Sequence, residues 1–494
     1  MIWKLLKNSY KFKAGLLISL TVILYAFLIN NMNLWSDEIY SVLMAKDSFA
    51  EMFNLLMTED SKPPLYYLYL KGILALFPQQ YEIFGAHFAS YILLICAQLF
   101  TATEVRKDYG DKFALWLIFL MMVMPHSLWL AFEVRTYMLS SFLMLMVLVY
   151  GLRLLKKPMR GDFIKFGGCT LAALYTHYYC ALWLMFFYFI LSGILLKNRR
   201  RDCFKKLLLT ATPVAVLFAP WLVVPLTTGD DISRVWYVNY DFVELSPTFF
   251  FDVMTPDILQ SFLYITTLFC AGSFSFMVLC GALSLYRKKE TSGFYIALGS
   301  FLLTYGLLIV LSYIFRPMVT ARYLKIFSLI WYFAGAFVLT REKIFQKAFV
   351  GLALLGFWGT YQDVRYVYFD RGFQEVVNDI RSFVSPDDAI AVLDNANLFA
   401  EYYLPEYKYY LLNDGQGEAL RLPSAAKQYE TYVPFKKDHL ALVLSTMGTM
   451  KNPERCKSYP SKYRFVNGGV DVCYFMPERI NSLAEKTYKL RFHK

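Results

Sequence analysis

Asp37 and Glu38 stand side by side in "LWSDE", at the start of a stretch that also carries Asp60 and Lys62 in "EDSKPPLYYLYLK". Further on come Glu133 and Arg135 in "FEVRTYML", His177 in "YTHYY" and Arg322 with Tyr323 in "ARYL". A carboxylate in a partly desolvated pocket suits the work of a general base, taking a proton from a hydroxyl. Arginine offers a planar fork that matches phosphate oxygens, and lysine a compact point charge. Both halves of such chemistry are thus present, but spread over nearly three hundred positions. What they do depends on the elements that bring them together.

Those elements are apolar. The chain has 494 residues, 57% of them hydrophobic, and a mean hydropathy of +0.40. Runs of about 18 apolar residues recur along most of it, the length a helix needs to cross hydrocarbon. The pattern predicts a polytopic α-helical membrane protein with spans at 14–31, 81–103, 113–132, 136–153, 163–179, 180–196, 206–226, 257–285, 293–315, 320–340 and 344–362. Thr255-Pro256 reads as an N-cap and first-turn proline for one of them. The first run follows Lys4, Lys7, Lys11 and Lys13 without a small-x-small cleavage site behind it, and reads as an uncleaved first span. Residues 63–78 are apolar but short and carry Lys71, as expected of an interfacial or re-entrant helix within a first outer loop at 32–80.

Charge supports this count. With the N-terminus inside, one set of loops holds "EVRKDYGDK", "RLLKKPMRGDFIK", "KNRRRDCFKK", "YRKKE" and "REKIFQK", and the opposite set holds few bases. That asymmetry follows the positive-inside rule and puts the C-terminus outside. The formal charge of +12 therefore reflects orientation, and nucleic acid is not an expected partner. The acidic loop faces outward, where Ser48 and Glu51 form a capping box for a short helix on the membrane surface. Residues 363–494 are polar, with strand-like runs "AIAVLD", "LALVLS" and "VDVCYF", and predict a small α/β extracytoplasmic domain. Six of the eight cysteines lie in or beside spans as packing residues, while Cys456 and Cys473 fall in this domain and can pair if it is outside the cytoplasm.

With this topology Asp37, Glu38, Asp60, Lys62, Glu133, Arg135, His177 and Arg322 share the outer face. Ionisable groups at membrane depth are costly and mark sites, so a cavity open to that face is expected. Each residue also fits a plainer role: solvated loop charge for Asp37 and Glu38, a snorkelling stem for Lys62, helix ends in water for Glu133 and Arg135, packing for His177, and a helix anchor for Arg322. His126, after Pro125, fits a kink and carries no assigned role. A flippase or transporter, a surface-polysaccharide polymerase and a membrane-anchored receptor are the rival classes. Internal repeats and broken midplane helices would mark the first, and large late outer loops the second.

The order "LWSDE", "EDSKPPLYYLYLK", "FEVRTYML", "YTHYY", "ARYL" resembles that of the polyprenyl-phosphate-sugar glycosyltransferases, the C-type superfamily that includes protein O-mannosyltransferases and lipid A aminoarabinose transferases. The resemblance covers about residues 14–340. It implies a cell-membrane enzyme of the envelope that moves a sugar from a polyprenyl-phosphate carrier to an acceptor hydroxyl or phosphate on a lipid, glycan or protein, with inversion. Asp37 would be the base, with Glu38 orienting the acceptor or sharing the work. Lys62, Arg322 and Arg135 would hold the leaving phosphate. Asp60, Glu133 and His177 would hold the arginines or bind sugar hydroxyls, with Tyr323 and His87 in support. Tyr66 fits an interfacial aromatic belt or sugar stacking. His87 in "GAHFAS" stands where many members carry arginine, and Ser61 where the aminoarabinose enzymes carry a glutamate thought to bind metal. No cofactor is therefore assigned, with a divalent metal as the alternative.

Overall fold

The computed structural model describes residues 9–29, 32–60, 62–156, 158–227, 258–286, 292–314, 318–319, 321–368, 372–384, 389–393, 396–412, 441–446, 455–460 and 469–475. Along the chain, α1 (Tyr10–Ile29) is followed by α2 (Ser36–Lys46) and α3 (Phe49–Leu55), then a π turn at Leu56–Asp60. Next come α4 (Leu65–Leu74), α5 (Glu82–Phe100), a π turn at Thr101–Val105, α6 (Arg106–Val123) and α7 (Pro125–Phe132). The bundle continues through α8 (Tyr137–Leu154), α9 (Arg160–Leu174), α10 (Tyr178–Lys197) and α11 (Arg201–Thr227). It closes with α12 (Ile258–Tyr286), α13 (Ser292–Ile314), α14 (Ala321–Leu324), α15 (Ser328–Arg341) and α16 (Lys343–Tyr368). The expected cap at Thr255-Pro256 lies outside the described residues.

The chain divides into two compact units, residues 1–30 with 56–364 and residues 31–55 with 365–494. In the first, six stretches of helix among the described residues are long and apolar enough to cross a membrane. The chain is a multi-pass membrane protein. The innermost helix is α15, buried from Ser328 through Leu339. It packs against α6, α8, α12 and α13. Gly335 and Gly281 permit the α12–α15 contact, because a Cβ at either would collide with Phe274 or Val338. Leu16, Ile23 and Phe27 on α1, Leu209, Val216 and Val223 on α11, and Val310 and Ile314 on α13 point outward instead. Apolar side chains facing away from a packed interior are what a hydrocarbon solvent requires.

The span expected over 113–132 begins close to expectation, at Asp111, after a break at Gly110 (φ +82°) that separates it from the charged turn Arg106–Tyr109. It then stops at Met124, whose ψ of 140° is extended, and Pro125 opens a separate short helix. Proline has no N–H to give and suits the first helical position, so it starts α7 instead of continuing α6.

In the second unit, α17 (Gly372–Phe383), β1 (Ala389–Leu393), α18 (Ala396–Tyr403), β2 (Lys408–Leu412), β3 (Ala441–Thr446), β4 (Arg455–Pro460) and β5 (Gly469–Phe475) form an α/β domain. The sheet order is β2-β1-β3-β5-β4. The first two pairings are parallel and the last two antiparallel. The three runs expected from sequence are β1, β3 and β5. Successive residues Ile390, Ala391 and Val392 are all buried, the signature of a strand covered on both faces. Cys456 lies opposite Cys473 in the β4–β5 register, and Cys473 is disulfide-bonded. α18 packs on β1, β3 and α2, and α17 on β4 and β5.

Candidate active site

In the first unit the site is built on the short loop between α7 and α8. α7 ends at Phe132 and Glu133 turns extended, so "EVRT" folds back with the Arg135 N–H on the Glu133 carbonyl at 2.8 Å. Two side chains of α5 hold this loop from behind. His87 Nδ1 lies 2.6 Å from the Phe132 carbonyl, and the Ser90 hydroxyl donates to the Glu133 carbonyl at 2.6 Å. A carbonyl only accepts, so Nδ1 of His87 carries the hydrogen. His87 thus shapes the loop.

Glu133 points into protein and meets a residue that sequence reasoning passed over. Lys325 Nζ lies 3.2 Å from its Oε2, with the two side chains only 1% and 2% exposed. The ammonium also sits 5.4 Å from the centre of the Trp129 ring. Ions removed from water survive only when paired, and here the pairing joins the segment after α14 to the end of α7. A signal existed: a lone lysine in "YLKIFSLIWYF" needs a carboxylate somewhere.

His177 occupies the turn between α9 and α10, outside both helices. Its Nδ1 accepts the Tyr179 N–H at 3.1 Å and so caps α10. Around it, the rings of Tyr137, Tyr179 and Tyr323 lie 6.2, 5.1 and 5.7 Å from its own. Tyr179 donates to the Met318 carbonyl. The Leu65 N–H donates to the Tyr175 carbonyl at 2.9 Å, tying the Lys-Pro-Pro segment to this turn. The imidazole is pushed down to about 3, first by loss of water around the ring and then by the positive charges of Lys62 and Arg135. His177 is therefore neutral. Lys62, Arg135, His177 and Tyr323 share one neighbourhood, whereas Glu133 is engaged with Lys325. Tyr66, fully buried, stacks edge-on with Tyr67 at 5.8 Å. The side chains of Asp60 and Arg322 lie outside the described residues.

This depressed value has a consequence for stability. Between about pH 6.5 and 3 the unfolded imidazole binds a proton that the folded one refuses, so the native state weakens as pH falls through that window. The loss reaches about 1.4 kcal/mol per pH unit. His177→Asn, which can still cap α10, should flatten the fall in thermal midpoint between pH 7 and pH 5. An unchanged slope would place the sensitivity elsewhere.

The opposite end of α8 shows what structural charge looks like. Arg153 donates to Asp108 at 2.6 Å, to the Glu104 carboxylate at 2.8 Å and to the Glu104 carbonyl at 2.9 Å. Arg106 pairs with Asp111 at 2.7 Å. With 18 residues in α8, the two charged clusters are about 27 Å apart along its axis, close to a hydrocarbon thickness.

In the second unit, Asp37 and Glu38 form the first turn of α2. Glu38 is fully buried, and its Oε2 accepts the Trp35 N–H at 3.2 Å. Asp37 is half-buried, and its carbonyl accepts the Ser41 hydroxyl at 2.9 Å. The expected capping box is present: Ser48 and Glu51 exchange two bonds of 3.2 Å at the start of α3. Among the described residues no three His, Cys, Asp or Glu side chains gather as metal ligands.

No family model matches the chain, and no curated protein matches it. Among solved structures it is similar to ArnT from Cupriavidus metallidurans bound to undecaprenyl phosphate, with 12% identity, a TM-score of 0.56, and 93% of this chain and 97% of that one covered. It is also similar to the Archaeoglobus fulgidus oligosaccharyltransferase in complex with zinc and sulfate, with 11% identity and a TM-score of 0.46, over 80% of this chain and 62% of that one. The first likeness spans nearly the whole of both chains and shows a shared fold.

Proposed function

From this fold we propose that the chain is a membrane glycosyltransferase that moves a sugar from a polyprenyl-phosphate carrier to an acceptor hydroxyl or phosphate on the outer face of the membrane, with inversion at the anomeric carbon. The observation that carries this reading is the nearness of two cationic side chains, Lys62 and Arg135, to the tyrosine-lined His177 turn. Both types suit a phosphate ligand, and a lipid phosphate can present one with its tail still in hydrocarbon. That the similar solved structure was captured with undecaprenyl phosphate supports the same ligand class.

As the glycosidic bond breaks, charge grows on the departing phosphate. Cations aimed at it stabilise the transition state more than the ground state. Lys62 and Arg135 take this role, with Arg322 as the third cation. Tyr323 and the Nε2–H left to neutral His177 offer further donors. Asp37 takes the proton from the acceptor hydroxyl, and that oxygen forms the new bond to the anomeric carbon opposite the leaving phosphate. Glu38 is committed to the Trp35 amide and holds the start of α2. An outward orientation of the second unit is supported by the loop charges and by bonded Cys473, since disulfides persist in oxidising compartments.

Lys62→Ala should weaken binding of undecaprenyl phosphate by about 10- to 100-fold at low salt, the range for a charge-assisted contact. Intrinsic tryptophan fluorescence of the purified protein in nanodiscs would read this. Unaltered affinity would remove Lys62 from the phosphate site. Mass spectrometry of envelope lipids, glycans and proteins with the gene present and absent would identify the sugar and its acceptor. No difference in any fraction would argue for a transporter in place of a transferase.

A further inference from the structure

We infer that Tyr403, in the C-terminal part of the chain, is a positioning residue for the carboxylate helix α2, so that the α/β domain serves to set Asp37 for catalysis. This rests on the reading of Asp37 as the base. Tyr403 is the last residue of α18, and its phenol oxygen meets both backbone groups of one residue just ahead of α2. It accepts the Leu34 N–H at 3.0 Å and donates to the Leu34 carbonyl at 3.1 Å. A single hydroxyl thereby holds Leu34 as a neighbouring strand would. Met32, Asn33, Leu34 and Trp35 are all buried, and three residues beyond Leu34 lies Asp37.

The clamp is itself held. α18 packs on β1 and β3 as well as on α2. Arg381 of α17 donates to the Tyr403 carbonyl at 3.2 Å and to Glu406 at 2.6 Å. The phenol must keep its proton to donate, and its surroundings enforce this. Burial raises its ionisation well above the ordinary tyrosine value, and the nearby Glu38 carboxylate raises it further. The same carboxylate accepts the Trp35 N–H, so Tyr403 and Glu38 together fix consecutive peptide units, Leu34 and Trp35, at the entrance to the helix. Through them a sheet assembled from residues 389–475 reaches the residue that would remove the acceptor's proton.

Tyr403→Phe removes both hydrogen bonds and leaves the ring to pack. Two measurements on the full chain test it. Deuterium exchange of the peptide containing Leu34 should rise at least tenfold in the variant, because the amide loses its acceptor. Turnover should be measured with a panel of synthetic undecaprenyl-phosphate hexoses, pentoses and amino sugars, with detergent-extracted envelope material as acceptor. On the donor that reacts, kcat should fall about tenfold or more while KM for the donor and the thermal midpoint stay within twofold and two degrees. Unchanged exchange would overturn the clamp. Faster exchange with normal kcat, or a fall in kcat accompanied by loss of donor affinity and fold, would overturn the positioning role. Asp37→Asn in parallel separates the two proposals: if it leaves turnover intact, the base assignment fails whatever Tyr403 does. If it abolishes turnover while Tyr403→Phe does not, only the clamp's role fails.

Discussion

Asp37→Asn is expected to lower sugar transfer by about 100- to 10,000-fold, the contribution of a positioned general base. The amide has nearly the carboxylate's shape and cannot take a proton, so undecaprenyl-phosphate binding and membrane insertion should be unaffected. Glu38→Gln is expected to behave differently. Its carboxamide oxygen can still accept the Trp35 N–H, so transfer should fall less than tenfold. Glu38→Ala, which leaves that buried amide without its partner, should cost about 1–3 kcal/mol of stability in the second unit. Equal losses of kcat for Asp37→Asn and Glu38→Gln, at equal stability, would show that the two carboxylates share the proton.

The largest effect on stability is expected at the Glu133–Lys325 pair. Lys325→Met strands a carboxylate that is 2% exposed, and losing one partner of a buried pair costs about 3–5 kcal/mol. Glu133→Leu removes the countercharge from an ammonium that is 1% exposed and should also destabilise. The double variant Glu133→Leu with Lys325→Met should recover most of the loss, because neither desolvated charge remains. Thermal unfolding in detergent for the four proteins gives the coupling directly. If the double variant loses as much as the two single ones together, the two residues act independently and the pair contributes little to the hold on the "EVRT" loop. If it is stable and yet inactive, one of the two residues touches substrate.

Much of this architecture is legible in the chain because hydrophobic length is a coarse and durable signal. α1, α5, α8, α13 and the runs of β1, β3 and β5 stand where their apolar residues put them. The failures have local causes. "RKDYGDK" reads as a loop because it is charged, yet its first residues are helical up to the break at Gly110, with Asp108 paired to Arg153 over forty positions away. The kink expected beside Pro125 is a full break, since Pro125 has no N–H to continue the helix and opens a new one instead. β2 and β4, "KYYLL" and "RCKSYP", are edge strands with weak patterning. Of the site, the types of residue are readable and their partners are not. Nothing in "AEYYLPEY" announces that one of its tyrosines holds the backbone of Leu34, since that contact spans 369 positions.

That an early segment completes a late domain also sets an order of manufacture. Residues 31–55 leave the ribosome long before residues 365–494, their structural companions. Some 310 residues lie between them, a delay of roughly 15–60 s at ordinary synthesis rates of about 5–20 residues per second. Throughout that interval the helix bearing Asp37 waits outside any finished fold, while the bundle is threaded into the bilayer. A nascent chain thus carries α2 without α18, the helix that packs on it, until residues 396–403 have been made.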